Sequence, residues 1–123
     1  MAKILVIEDD KIVATIVEKF LSNGGHTVTV ANDGDAGLRA VATDPPDLVI
    51  TDVFMPEKDG LEAIRELRTK NPTLPVIAMS GGGSGASGAE ILRIASILGA
   101  KEVLKKPLTS AEVLGAVERC LKA

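Results

Sequence analysis

Aromatic residues are nearly missing from this chain: its 123 residues include two Phe, no Trp and no Tyr. A core must therefore be filled by Val, Ile, Leu and Ala, which suits a parallel sheet covered on both faces by helices. Cysteine occurs once, at Cys120, so an internal disulfide is excluded, as fits a reducing compartment. Cys120 lies in an amphipathic C-terminal segment and reads as a small buried hydrophobe rather than a nucleophile. Histidine also occurs once, at His26 after two glycines; that makes no metal site and indicates a structural placement. There is no cluster of Lys and Arg, and a net charge of -3 with a pI near 5.1 argues against binding a nucleic-acid backbone. The chain does not open with a positive segment followed by an apolar one, and no apolar run approaches the length of a membrane span. A soluble, cytoplasmic protein without nucleic-acid or membrane contacts is expected. It is expected to be a monomer, because no long exposed apolar stripe is evident.

What the chain does contain is an alternation of strand and helix signals. Lys3-Ile4-Leu5-Val6-Ile7 is an apolar run stopped by Glu8-Asp9-Asp10, as a fully buried strand would be. Ile12, Val13, Ile16, Val17, Phe20 and Leu21 then recur on one helical face, and Asn23-Gly24-Gly25 ends that helix. Thr27 to Ala31 reads as a second strand, and Asp33 to Ala42 as a short helix closed by Asp44-Pro45-Pro46. Leu48-Val49-Ile50 is a third strand ending at Thr51-Asp52, followed after a loop by a helix from Gly60 to Lys70, with Asp59 and Glu62 in a capping arrangement. Pro75 to Met79 is a fourth strand. A Gly/Ser-rich loop from Ser80 to Gly88 leads to a helix carrying Ile91, Leu92, Ile94, Ala95 and Leu98. Glu102-Val103-Leu104 is a fifth strand. Thr109 with Glu112 forms a capping box for a last helix from Ser110 to about Leu121.

Five strand-helix units with short connections imply a parallel sheet with helices on both faces and right-handed crossovers. The length suits one domain, and the pattern fills it, so a single domain over residues 1–123 with no output domain is expected. In such a sheet ligands bind at the carboxyl ends of the strands. That rim receives Glu8, Asp9 and Asp10 after strand 1, Asp52 after strand 3, Ser80 after strand 4, and Lys105-Lys106 after strand 5. Each alone reads as an ordinary solvated loop residue; together they concentrate carboxylates, a hydroxyl and an ammonium at one edge. Crowded carboxylates raise one another's pKa unless a cation neutralises them, and a hard cation with oxygen ligands, Mg²⁺ above all, answers that need. A lysine there can pair with Asp52 and later with an added phosphoryl oxygen, to which the Ser80 hydroxyl can also donate.

Four ordered segments carry a family resemblance over the whole chain: Ile4 to Asp10, Leu48 to Pro56 followed by Asp59-Gly60, Pro75 to Ser80, and Lys106-Pro107-Leu108. The sequence resembles a receiver domain of the two-component response regulators. The resemblance implies a doubly wound (βα)5, flavodoxin-like three-layer sandwich with strand order 2-1-3-4-5. It implies that Asp52 is the phospho-acceptor, that Asp9 binds Mg²⁺ directly and Glu8 directly or through water, and that the Phe54 backbone carbonyl is a further metal ligand. Ser80 would be the switch hydroxyl, Lys106 the phosphate-contacting cation, and the Lys106-Pro107 bond cis. The implied donor is a phosphohistidine on a sensor histidine kinase or a histidine phosphotransfer protein. An unidentified downstream protein would read the fourth helix, fifth strand and last helix.

The sequence departs from that pattern in places. Val103 stands where the family commonly has an aromatic switch residue, so coupling through a rotating ring is put in doubt. Residues 81–88 hold five glycines, which points to that loop as the mobile element instead. The same loop contains Gly83-Ser84-Gly85-Ala86-Ser87-Gly88, a literal dinucleotide-binding pattern, but it follows the fourth strand rather than the first and lacks the expected acidic partner. Phe54, two residues after Asp52, reads either as a loop residue covering apolar surface or, as the resemblance implies, as a bulky group placed to slow water's access to an acyl phosphate. It also excludes a haloacid-dehalogenase-like phosphatase, which needs an Asp at that place and a larger core. A degenerate receiver is disfavoured by Glu8, Asp9, Asp52, Ser80 and Lys106 all being present. A receiver cut from a longer regulator, a phosphorelay intermediate and a phosphate sink remain as alternatives to a stand-alone signalling module.

Overall fold

A computed structural model describes residues 2–53, 60–80, 93, 95–97 and 99–122. In chain order the elements are β1 (Lys3–Ile7), α1 (Lys11–Asn23), β2 (Thr27–Ala31), α2 (Gly34–Thr43), β3 (Leu48–Asp52), α3 (Gly60–Lys70), β4 (Val76–Ser80), β5 (Glu102–Lys105) and α4 (Ser110–Leu121). Between β4 and β5, Arg93 and residues 95–97 are helical. The strands form one parallel sheet in the order β2-β1-β3-β4-β5, the order expected.

Successive strand residues face opposite sides of the sheet, and each side has its own core. Ile4 and Val6 join Ile50, Ile77 and Met79 under α1 and α4, where Val17, Leu21, Val113, Val117 and Cys120 complete the layer. Leu5 and Ile7 join Val49, Val76 and Ala78 on the other side, beneath Val41 of α2 and Ile64 and Leu67 of α3. Every residue of β3 and β4 is buried, which is why those strands read as unbroken apolar runs. Cys120 is buried in the α4 layer, as its position implied. His26 is structural too: its Nδ1 accepts the Ala2 N–H at 3.1 Å.

Side chains cap the starts of α1, α2 and α4, of which only the last was read from the sequence. Asp10 caps α1 by accepting from the Ile12 and Val13 N–H groups, and Asp33 caps α2 through Ala36, so Asp33 precedes its helix rather than opening it. Thr109 and Glu112 form a complete capping box on α4. Strand ends shift by a residue or two. β4 starts at Val76 because Pro75 has no N–H for the ladder, although its carbonyl accepts from Val49 at 3.0 Å. β3 continues to Asp52, in register with Met79, and β5 to Lys105, in register with Ser80. Gly37 lets α2 close on the sheet: a Cβ there would lie 2.3 Å from Ile7 Cδ1. Asp59 and the side chains expected from Ile91, Leu92, Ile94 and Leu98 fall outside the described residues.

Candidate functional site

The strand order reverses between β1 and β3, and the acidic groups stand astride that switch point at the carboxyl edge of the sheet. Glu8 follows the last residue of β1 and donates its backbone N–H to Ala31 of β2 at 3.0 Å, so the sheet fixes its main chain. Asp52 is the final residue of β3, held in the ladder and only 4% exposed. Asp9 is exposed beside them. One carboxylate oxygen from each of Glu8, Asp9 and Asp52 lies within 4.8 Å of the others.

Lys106, just past β5, reaches into this group. Its Nζ donates to Glu8 Oε1 at 2.8 Å and lies 3.5 Å from Asp52 Oδ1. The second Glu8 oxygen accepts the Asp10 N–H at 3.1 Å. Ser80 ends β4, is fully buried, and its carbonyl accepts the Lys106 N–H at 2.8 Å, tying the hydroxyl-bearing strand end to the lysine backbone. The Lys106-Pro107 peptide is cis. The structure thus brings Glu8, Asp9, Asp52 and Lys106 together, with the Ser80 carbonyl accepting the Lys106 backbone N–H. Phe54 and the glycine loop 81–88 lie outside the described residues. Val103, opposite Ala78 in β5, is 36% exposed and presents an aliphatic side chain at the position expected of a ring.

Burial dominates the electrostatics. It pushes the Glu8 carboxyl up to about 7, helped by the charge of Asp52, although hydrogen bonds from Lys106 and the Asp10 N–H pull the other way. For Lys106 burial disfavours the ammonium, but the hydrogen bond to Glu8 and the charges of Asp52 and Glu8 outweigh it and hold its pKa above the ordinary lysine value. Lys106 brings one positive charge to a group of three carboxylates, which leaves a place for a divalent cation. The donors are hard carboxylate oxygens within a single ion's reach, the set that Mg²⁺ prefers.

Two contributors were not assigned a part from the sequence. Asp10 joins the first acidic pair to α1, and its position just before the helical run is an N-cap signal that marks it. Thr51 is fully buried and donates its hydroxyl to the Asp52 carbonyl at 3.0 Å; in a strand of Val and Ile it reads simply as a β-former.

The family described as the response regulator receiver domain matches residues 4–118. Response regulator MprA of Mycobacterium ulcerans (strain Agy99) is 36% identical over 121 residues, which cover 98% of this chain and 50% of that protein. The alkaline phosphatase synthesis transcriptional regulatory protein PhoP of Bacillus subtilis (strain 168) is 31% identical over 121 residues, covering 98% and 48%. The chain spans about half the length of the curated relatives it matches. Among solved structures, the receiver domain of NtrX from Brucella abortus is similar at a TM-score of 0.91 and 31% identity, with 98% of each chain covered. A response regulator receiver domain protein from Clostridium thermocellum gives 0.90 at 31% identity, covering 99% of this chain and 95% of that one. Among the described residues, no helix is long and apolar enough to cross a membrane.

Proposed function

This chain belongs to the response regulator receiver family, and from that premise we propose that it accepts a phosphoryl group on Asp52 and signals through the resulting change in protein contacts. The observation that carries the reading is the convergence of Asp52 with Glu8, Asp9 and Lys106 on one rim of the sheet. The donor is a phosphohistidine on a sensor kinase or phosphotransfer protein. An Asp52 carboxylate oxygen attacks the phosphorus in line, the bond to the histidine nitrogen breaks, and an acyl phosphate forms. Positioning and charge neutralisation are the main demands of such a transfer.

Asp52 sits on a strand end rather than a loose loop, which holds its oxygen in place. Lys106 supplies a fixed positive charge to a phosphoryl oxygen, and the Ser80 hydroxyl donates to another. Asp9 and Asp52 would hold Mg²⁺ with the Phe54 carbonyl, and Glu8 directly or through water; the ion supplies further neutralisation of the phosphoryl oxygens when bound. Water later attacks the acyl phosphate and returns the free carboxylate. In this reading the domain is a signalling element of a cytoplasmic two-component pathway, working as a monomer and not as an enzyme on a separate substrate.

A second reading places this receiver inside a longer regulator, and the half-length coverage of its curated relatives favours it. The mass of the protein in its native cells separates the two. The chemistry is tested by intact mass after incubation with acetyl phosphate, with and without Mg²⁺, on wild type and Asp52→Asn. The expected result is a gain of one phosphoryl group that needs both Mg²⁺ and Asp52. No gain from acetyl phosphate or from a panel of phosphohistidine donors would overturn the proposal.

A further inference from the structure

Thr51 buries a hydroxyl among apolar neighbours. It is fully buried in β3, in register with Ile7 of β1 and Ala78 of β4, both members of the core under α2 and α3. Valine would fill the same space and suit a strand as well. Burying a hydroxyl is costly unless it is hydrogen-bonded, and this one donates to the Asp52 carbonyl at 3.0 Å. The reason for threonine at this place therefore lies in that bond.

The bond lands on the peptide that leaves the proposed phospho-acceptor. On the β1 side the register of β3 ends at Thr51, whereas on the β4 side it runs on to Asp52, opposite Met79. The Val53 N–H then donates to the Met79 carbonyl at 3.0 Å. The planar peptide between Asp52 and Val53 is thus tied at both polar ends, its N–H to β4 and its carbonyl to Thr51. The peptide planes on either side of a Cα fix the direction of its Cα–Cβ bond, so this tether governs where the Asp52 carboxylate points.

From this geometry we infer that Thr51 is a positioning residue: its hydroxyl locks the peptide after Asp52 and so aims the carboxylate for in-line attack. The inference rests on the phospho-acceptor reading above. Side chains alternate along a strand, so Thr51 lies on the α2 and α3 side of the sheet, while the Asp52 carboxylate faces the other way, 3.5 Å from the Lys106 ammonium. Thr51 acts through Asp52 alone and meets neither the phosphoryl group nor a cation.

Phosphorylation by acetyl phosphate with Mg²⁺, followed by intact mass in quenched time courses, tests the assignment. Misplacing a reacting group is costly in rate, and Thr51→Val is expected to react about tenfold more slowly than wild type. Thr51→Ser keeps the hydroxyl and gives up the methyl, and is expected to stay within about threefold. Packing alone predicts the reverse order, because Val preserves the volume and Ser does not. The Asp52 carbonyl ¹³C resonance of the metal-free, unphosphorylated protein gives a second readout: it should shift in Thr51→Val and hold its place in Thr51→Ser. A Val variant as fast as wild type, a Ser variant as slow as Val, or a carbonyl signal unmoved in Val would each overturn the inference. If circular dichroism shows that Thr51→Val does not fold, Thr51→Ala against Thr51→Ser isolates the same hydroxyl. Ala is then expected to be about tenfold slower than Ser, and equal rates would overturn the inference. A wild type that takes no phosphoryl group from acetyl phosphate or phosphohistidine donors defeats the phospho-acceptor reading and the role of Thr51 with it. A reactive wild type beside an equally reactive Val variant defeats the Thr51 assignment alone.

Discussion

Raising the pH should destabilise the cation-free protein through Glu8. Burial pushes this carboxyl from 4.5 to about 7 in the folded chain. The unfolded chain, where Glu8 is solvated, loses its proton first, so between those values the folded state binds more protons. Stability from this group is therefore fully present below about pH 4.5, falls as the pH rises, and is gone above about pH 7. The gap corresponds to about 3 kcal/mol, a large share of the roughly 5–15 kcal/mol that holds a domain together. Urea unfolding followed by far-ultraviolet circular dichroism suits a chain without Trp or Tyr. It should be run in chelator from pH 5 to pH 8 on wild type and Glu8→Gln. A pH-independent offset between them reports Lys106 losing its partner, while the changing part reports the Glu8 proton. The difference is expected to move by up to about 3 kcal/mol in favour of Gln as the pH rises. Parallel curves across the whole range would refute the reasoning.

Three further outcomes follow from the packing. Thr109→Ala breaks both arms of the capping box on α4 and is expected to cost about 1 kcal/mol in urea unfolding, most of it recovered by Thr109→Ser. Asp10→Ala removes the cap from α1 at a similar cost of about 1 kcal/mol, with Asp10→Asn close to wild type by the same measurement. Gly37→Ala gains about 1 kcal/mol of helix propensity but sets a Cβ 2.3 Å from Ile7 Cδ1 and 2.7 Å from Cγ1, so overpacking of about 1–3 kcal/mol makes the net change a loss. Ile7→Val, which deletes Cδ1, should offset part of that loss, and a double-mutant cycle should show favourable coupling of about 1 kcal/mol.

The fold was legible because its signals are local and mutually consistent. The apolar runs of β1, β3 and β4, the helical spacing of α1 and the Thr109-Glu112 box each correspond to an observed element. Boundaries were less legible, since a strand ends where its ladder ends: Asp52 belongs to β3 because Met79 stands opposite, a relation between distant segments. The same limit applies at the site. Residue types at strand ends pointed to a rim of carboxylates and lysine, and the rim is there. That Lys106 lies closer to Glu8 than to Asp52, and that Asp10 braces Glu8 from behind, depends on side-chain placement that no spacing encodes. Likewise Arg68 donates to the Gly99 carbonyl at 2.7 Å, joining the end of α3 to the turn before β5, and neither residue's neighbours in sequence suggest it.

The ion pair at the centre of the site joins residues 98 positions apart in the chain. A polypeptide emerging from the ribosome through β4 already carries Glu8, Asp9 and Asp52, but not the ammonium that pairs with Glu8. Closing so long a loop costs entropy before any contact rewards it. A nascent or truncated chain that stops short of Lys106 therefore holds an unbalanced cluster of negative charge. On the phospho-acceptor reading, a chain whose fifth strand has not docked lacks the lysine that would meet the phosphoryl group.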